Sequence, residues 1–307
     1  MSSNFPAPVP EPTEPFLNHY PSVSVGLPVF NEEEHIYDIL QSIHLQKYPN
    51  IEVLISDNAS VDGTWDIIAD FVNKDNRFKG VRQAENMGAV ENFLYVLNSA
   101  KGEFFIWAAG HDLWGPDMIE SLVFMFQNNP SMALCAPRTK WIGDDGNVLF
   151  EKKTYIDTRP ATTPAGRVLL FLKQRERCNA IYGLHRREIL LKTIPWPNEN
   201  DLIGLCRIAF LGDIITDLDS YWCRRNLKRE TVSEQMARYT KVFRRSGINA
   251  KFPYLIGTLT ALLAIVKFSG NFSDRLRLIS YFLGNITLNP ANIKALVSDT
   301  IEGFSRR

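Results

Sequence analysis

The residues best equipped for chemistry fall in three short polar clusters: Asn31 with Glu32, Asp57 with Asn58, and His111 with Asp112. Each follows an apolar run, namely VSVGLPVF, IEVLIS and EFFIWAAG. Carboxylates, amides and an imidazole fixed at such places offer hydrogen-bond acceptors and oxygen or nitrogen ligands for a cation. No Gly-x-Gly-x-x-Gly follows the first run, and no Gly-x-x-x-x-Gly-Lys-Ser/Thr occurs anywhere in the chain. A Rossmann dehydrogenase and a P-loop NTPase are both disfavoured. A phosphate held here would need a metal ion or arginines in place of a glycine-rich loop.

The elements around these clusters follow from periodicity. VSVGLPVF and IEVLIS read as buried strands, and Ile36, Ile39, Leu40 and Ile43 mark one face of a helix between them. Trp65, Ile68, Ala69 and Val72 predict a second helix, with Asp62 or Ser60 available to cap it. Val81 belongs to a short third strand, and Val90, Phe93, Leu94 and Leu97 mark a third helix. EFFIWAAG is a fourth strand without a polar face, Pro116 opens a helix through Phe126, and MALCAPR is a further strand. Trp141, Asp144, Asp145 and Gly146 read as a hairpin turn, and Arg175, Glu176, Arg177 and Asn179 as a solvated face or an acceptor contact. Such alternation predicts an α/β fold with a mainly parallel sheet flanked by helices. In these folds ligands bind beyond the carboxyl ends of the strands, where the three clusters lie.

In order and spacing, VSVGLPVFNEEEHI, IEVLISDNASVDGT and NMGAVENFLYVLNSAKGEFFIWAAGHDLW resemble the family 2 glycosyltransferases of the GT-A fold, over about residues 22–225. The resemblance implies that the loop at Pro28, Val29 and Glu32, with Asp57, forms the pocket for the base and ribose of a nucleotide sugar. It places Arg82, Asn86 and Gly88 near the donor's phosphates and sugar, although Arg82 could equally be a surface residue. Where the family has Asp-x-Asp-Asp, this chain has Ala109, Gly110, His111 and Asp112. Asp112 can still ligate a divalent ion completed by diphosphate and water, and His111 could contact the donor's ribose or complete the metal shell, where an imidazole suits Mn²⁺ better than Mg²⁺. By the same resemblance the base that deprotonates the acceptor is Asp201, with Glu199 the substitute; a helix cap is the competing role for Asp201.

The chain has 307 residues, with 34 Lys+Arg and 34 Asp+Glu. Residues 1–223 carry a net −10 and residues 224–307 a net +10. Arg224, Arg225, Lys228 and Arg229 form one basic group, and Arg238, Lys241, Arg244, Arg245 and Lys251 another. A solvated face, docking on an anionic membrane surface, and contact with the donor's phosphates are the competing roles. Nucleic acid is disfavoured, because interleaved aromatics and a recognisable module are lacking. The apolar run Phe252–Val266 falls short of a bilayer span. The start has no signal-peptide pattern, and the four cysteines are too far apart for a zinc site or disulfide framework.

These features predict a Pro-rich tail (1–20), a GT-A domain (21–225) and a basic, mainly helical C-terminal extension (226–307). The expected function is inverting, metal-assisted transfer of a single sugar from a nucleotide-sugar donor, UDP-linked by preference, to a glycan or lipid-linked acceptor. The expected location is cytoplasmic, with possible peripheral attachment to the inner face of a membrane. The alternatives are a nucleotide-sugar-binding protein whose chemistry has lapsed, and a nucleotidyltransferase of similar build, which would need a glycine-rich start that is missing.

Overall fold

The computed structural model describes residues 20–151, 155–175, 178–194, 201–226, 262–263, 266–268 and 271–288. The Pro-rich residues 1–19, Glu176, Arg177, Glu199 and the basic segment 227–261 lie outside the described residues.

The N-terminal half is a run of strand–helix units: β1 (Val23–Val29), α1 (Ile36–His44), β2 (Ile51–Asp57), α2 (Thr64–Lys74), β3 (Phe78–Arg82), α3 (Ala89–Ser99) and β4 (Phe104–Trp107). All seven residues of β1 are buried, as expected for a strand covered on both faces. β1 pairs in parallel with β2 on one side and β4 on the other, with Val29 opposite Asp57 and Gly26 opposite Trp107. All three polar clusters therefore leave the same edge of the sheet. A Cβ on Gly26 would stand 2.6 Å from Phe105 Cζ and 2.8 Å from Val96 Cγ2, so the bare glycine lets α3 and Phe105 close down on β1.

The predicted face of α1 is completely buried. In α2 and α3 the buried faces are turned from those expected. α2 buries Thr64, Ile68 and Phe71 and leaves Trp65 and Val72 partly covered. α3 buries Asn92, Val96 and Leu97, because the Asn92 amide donates to the Ser56 carbonyl at the end of β2. No side chain caps α2 at its N-cap, Gly63. Asp62 instead accepts the Thr64 N–H at 3.1 Å, and Ser60 serves Asp57.

The second half contains β5 (Leu113–Trp114), α4 (Met118–Asn128), β6 (Met132–Ile142), β7 (Val148–Glu151), α5 (Pro164–Gln174), β8 (Leu184–Arg186), α6 (Arg187–Thr193), α7 (Asp201–Leu211) and β9 (Asp213–Arg225). The sheet order is β3-β2-β1-β4-β8-β6-β9-β5, with β7 on β6. The sheet is parallel from β3 to β4 and mixed beyond. Its reversal comes from the predicted hairpin at Gly143–Asn147, where Gly146 takes φ +79°. That hairpin turns the chain once, so the α5 connection delivers β8 in the direction of β7, antiparallel to β6 and β4.

Of the C-terminal part, α8 (Phe272–Leu288) packs on α5, and Leu278 is fully buried in the same cluster as Phe171 and Ala165. No helix among the described residues is long and apolar enough to cross a membrane. Cys135, Cys206 and Cys223 are buried thiols, Cys178 is half-buried, and all four are free.

The structure corrects the assignment of Arg225 to a solvated or lipid-facing basic group. β9 continues through Arg225 and carries it into the sheet, where its side chain is 1% exposed. Its N–H donates to Asp112 Oδ1 at 2.9 Å and its Nε to the His111 carbonyl at 2.8 Å. Nη1 donates to the carbonyls of Gly143 and Asp144, and Nη2 lies 3.5 Å from Asp38. One side chain thus ties the His111–Asp112 loop, the β6–β7 hairpin and α1 together. Arg225→Ala strands these carbonyls in a dry environment and should cost about 2–4 kcal/mol in urea denaturation.

Candidate functional site

The first part of the site is built around Asp57, the last residue of β2, which is completely buried. Its Oδ1 accepts the N–H and hydroxyl of Ser60, the amide at 3.2 Å. Its Oδ2 is buried without a hydrogen bond and lies 3.4 Å from Arg82 Nε. Arg82, at the end of β3, is 45% exposed and also donates to the Ser60 carbonyl. The expectation that Arg82 is either a surface or a site residue resolves into a cation covering the open oxygen of Asp57. Asn86 shapes the turn before α3: its Oδ1 accepts from Gly88 N–H and Asn58 Nδ2. The loops at this edge hold two non-glycine residues at positive φ, Asn31 at 53° and Ala59 at 60°, a strained conformation held by the bonds around it. Asn31 N–H donates to Ser60 Oγ, which joins the loop after β1 to the loop after β2.

Pro28 and Val29 are strand rather than loop residues. Both are buried in β1, and the Val29 carbonyl already accepts the Asn58 N–H at 2.9 Å. The loop begins at Phe30.

Glu32 reaches the second cluster. Its Oε1 lies 3.0 Å from His111 Nδ1, and His111 Nε2 lies 4.0 Å from Asp112 Oδ1. Burial works against a charged His111, but the hydrogen bond to Glu32 and the charges of Asp112 and Glu32 outweigh it, so the imidazole is held above its ordinary range. Asp112 is 2% exposed, and burial pushes its carboxyl up against the pull of His111, the Arg225 N–H and Arg224.

The third part lies across β9 and α7. Asp201 is the first described residue of α7 and lies in its first turn. It is solvent-accessible, yet the protein mass around it desolvates the carboxyl and pushes it up to about 6, with Arg224 pulling the other way. Arg224 acts electrostatically on Asp112, His111 and Asp201 together. Its guanidinium lies 4.9 Å from the Trp141 ring and 5.9 Å from Trp222, and Nη1 donates to Asn179 Oδ1 at 2.5 Å. Tyr182 stacks on Trp222 at 4.9 Å and senses the charges of both Asp201 and Asp112.

Arg224 was grouped by sequence with the surface basics; the signal that could have placed it is strand alternation, which puts it on the same face of β9 as Trp222. Asn179, expected to touch acceptor or solvent, orients this arginine. Glu199 lies outside the described residues.

Among the described residues no group of three or more His, Cys, Asp and Glu side chains is placed to hold a metal ion. The set present is a pair. With Nδ1 turned to Glu32, His111 Nε2 faces Asp112 at a separation that two ligands of one ion can span. A pair of this kind fits a divalent ion whose other positions are filled by substrate oxygens and water.

The chain is similar to known glycosyltransferases in sequence and in fold. The glycosyltransferase TuaG of Bacillus subtilis strain 168, whose provisional name assigns it to teichuronic acid biosynthesis, is 34% identical over 113 residues, covering 36% of this chain and 45% of that protein. The chain matches less than half the length of such curated relatives, 33%, 42% and 45% in three cases. Among solved structures, S. aureus TarS 1-349 in complex with UDP-GlcNAc superposes with TM-score 0.64 at 17% identity, over 91% of this chain and 79% of that one. The mannosyltransferase PcManGT from Pyrobaculum calidifontis, solved with GDP-Man and Mn²⁺, gives TM-score 0.55 at 16% identity, over 94% and 89%. At these identities the structural likeness establishes a GT-A type fold. Residues 24–185, more than half of the chain, match the family model described as glycosyl transferase family 2, and the chain belongs to that family.

Proposed function

We propose that the chain is an inverting glycosyltransferase that moves one sugar from a UDP-linked donor to an acceptor hydroxyl of a glycan or lipid-linked glycan. The observation that carries this is Arg224, which is held by Asn179 and lies 4.9 Å from the Trp141 ring, and whose charge acts on both Asp112 and Asp201. One cation acting on two desolvated carboxyls suits a place where a diphosphate and an attacking hydroxyl would meet. A solved structure of similar fold holds UDP-GlcNAc, which supports the choice of donor.

Asp57 would receive the base or ribose through Oδ2, its oxygen without a hydrogen bond, after Arg82 moves aside. Asp112 and His111 would hold a divalent ion, which supplies Lewis-acid neutralisation of the diphosphate. Arg224 presents a fixed cation to the same leaving group, and its stacking on Trp141 limits the reorganisation needed. Asp201 takes the proton of the acceptor hydroxyl as that oxygen bonds to the anomeric carbon. The bond from that carbon to the diphosphate breaks on the opposite face, and the nucleoside diphosphate leaves.

A carboxylate acts as base only when ionised. With Asp201 pushed up to about 6, kcat should fall as pH drops through about 6 and level off above it. A rate profile flat from about pH 5 to about pH 8 would remove Asp201 from the step. Asp201→Asn should lower kcat about 10²–10⁴-fold with UDP affinity nearly unchanged. Asp112→Asn should weaken both UDP binding and its response to Mn²⁺, read by calorimetry. A panel of nucleotide sugars with Mn²⁺ or Mg²⁺ tests the activity itself. Binding without release of nucleoside diphosphate from any donor would favour the lapsed-enzyme alternative, which the replacement of acidic residues by Ala109 and His111 makes worth testing.

A further inference from the structure

Glu32 stands beside Glu33 and Glu34, and the family resemblance assigns it to the base and ribose pocket. The structure separates the three. Glu33 accepts the Gly63 N–H at 3.0 Å, Glu34 is exposed, and Glu32 alone reaches back to His111. Its backbone is fixed from both sides. The N–H donates to Thr64 Oγ1 at 2.8 Å, and the carbonyl accepts from His35 and Ile36. Space for its side chain depends on Gly110, where a Cβ would fall 2.8 Å from Glu32 Cγ and 3.1 Å from Cδ. The peptide on the other side of the contact is held by Arg225, which bonds the His111 carbonyl and Asp112 Oδ1.

We propose that Glu32 is a positioning residue that keeps His111 in its Nδ1–H form, so that Nε2 and Asp112 present one nitrogen and one oxygen to a divalent ion, with Mn²⁺ preferred over Mg²⁺. A carboxylate only accepts, so Nδ1 must donate at 3.0 Å. A neutral imidazole then keeps its lone pair on Nε2, the nitrogen 4.0 Å from Asp112 Oδ1. A carboxylate behind a histidine fixes the ring and raises its basicity as a ligand. Mg²⁺ takes oxygen ligands in strict octahedral geometry, whereas an imidazole suits later divalent ions better. Gly110 would serve the same end by leaving room for the glutamate stem.

The metal clause rests on the proposed transferase function; the tautomer does not. The first test is therefore made on the full chain without donor or metal. Histidine is labelled with ¹⁵N, and long-range ¹⁵N–¹H spectra are recorded at alkaline pH, where the imidazole is neutral, with His111→Gln to assign the signal. The expected result is an Nδ1–H tautomer in the wild type. Glu32→Gln, which retains a carbonyl acceptor, should keep it, and Glu32→Ala and Gly110→Ala should shift it toward Nε2–H. An Nε2–H wild type, or a tautomer unchanged in both Glu32→Ala and Gly110→Ala, overturns the proposal.

Mn²⁺ binding in the presence of UDP, followed by electron paramagnetic resonance, tests the metal clause. Glu32→Ala should weaken it about 10–100-fold, and Mg²⁺ should displace Mn²⁺ only in excess. Equal competition by Mg²⁺ would overturn that clause. If Glu32→Ala does not fold, Gly110→Ala carries both measurements. Absence of UDP release by the wild type would sink the transferase function and leave the tautomer result standing.

Discussion

Everything in the site depends on the pairing of β1 with a parallel strand on each side. A buried strand must bond its N–H and C=O groups to both neighbours. Here the ladder continues past the strand ends, with Asn58 N–H on the Val29 carbonyl and Ala108 N–H on the Gly26 carbonyl. The residues that follow are therefore fixed in position before any side chain interacts. Asp57 sits opposite Val29, and the His111–Asp112 loop leaves β4 at the same edge. Gly26 tightens this arrangement by letting α3 approach, and α3 returns the Asn92 amide to the end of β2.

Across the sheet the second requirement is that the loop after β4 meet the end of β9. The short strand β5 pairs with β9, with Leu113 opposite Cys223 and Trp114 opposite Trp222. That register brings Arg225 under the His111–Asp112 peptide and leaves Arg224, on the other face, turned toward the carboxyls. Two adjacent arginines of one strand thus have unlike roles, since alternate residues of a strand face opposite ways. One holds a loop in place, and the other acts on the charges of His111, Asp112 and Asp201.

Charge in the cleft is balanced locally. The surrounding protein desolvates buried Asp112 and the solvent-accessible Asp201 alike and raises both carboxyls, and both feel Arg224. His111 is supported by Glu32 and Asp112. Ala109 and His111 stand at the end of β4 where the family resemblance leads one to expect acidic residues, and Glu32 and Asp112 support the histidine there against the opposing charge of Arg224. This balance has little to do with the zero net charge of the whole chain, which sums an acidic part and a basic part.

The sequence by itself determined the strand–helix alternation, the location of the polar clusters at strand ends and the identity of Asp57, Asp112 and Asp201 as residues to examine. Periodicity sufficed for the elements and the strand-end clusters, because burial of one face or both is written into runs such as VSVGLPVF and the Ile36–Ile43 stripe, whereas the roles of Asp57 and Asp201 came from the family resemblance. Tertiary structure decided which side chains meet. Glu32 could not be told from Glu33 and Glu34 by composition; the backbone bond to Thr64 and the space over Gly110 select it. Asn92 was hidden in α3 because a polar residue does not register in an apolar stripe, and its burial depends on carbonyls of other strands. Arg224 and Arg225 looked like the start of a surface basic cluster, because charge runs carry no information about where a strand ends. Only the β5–β9 register, a contact between segments more than a hundred residues apart, turned one arginine into the core and the other into the cleft.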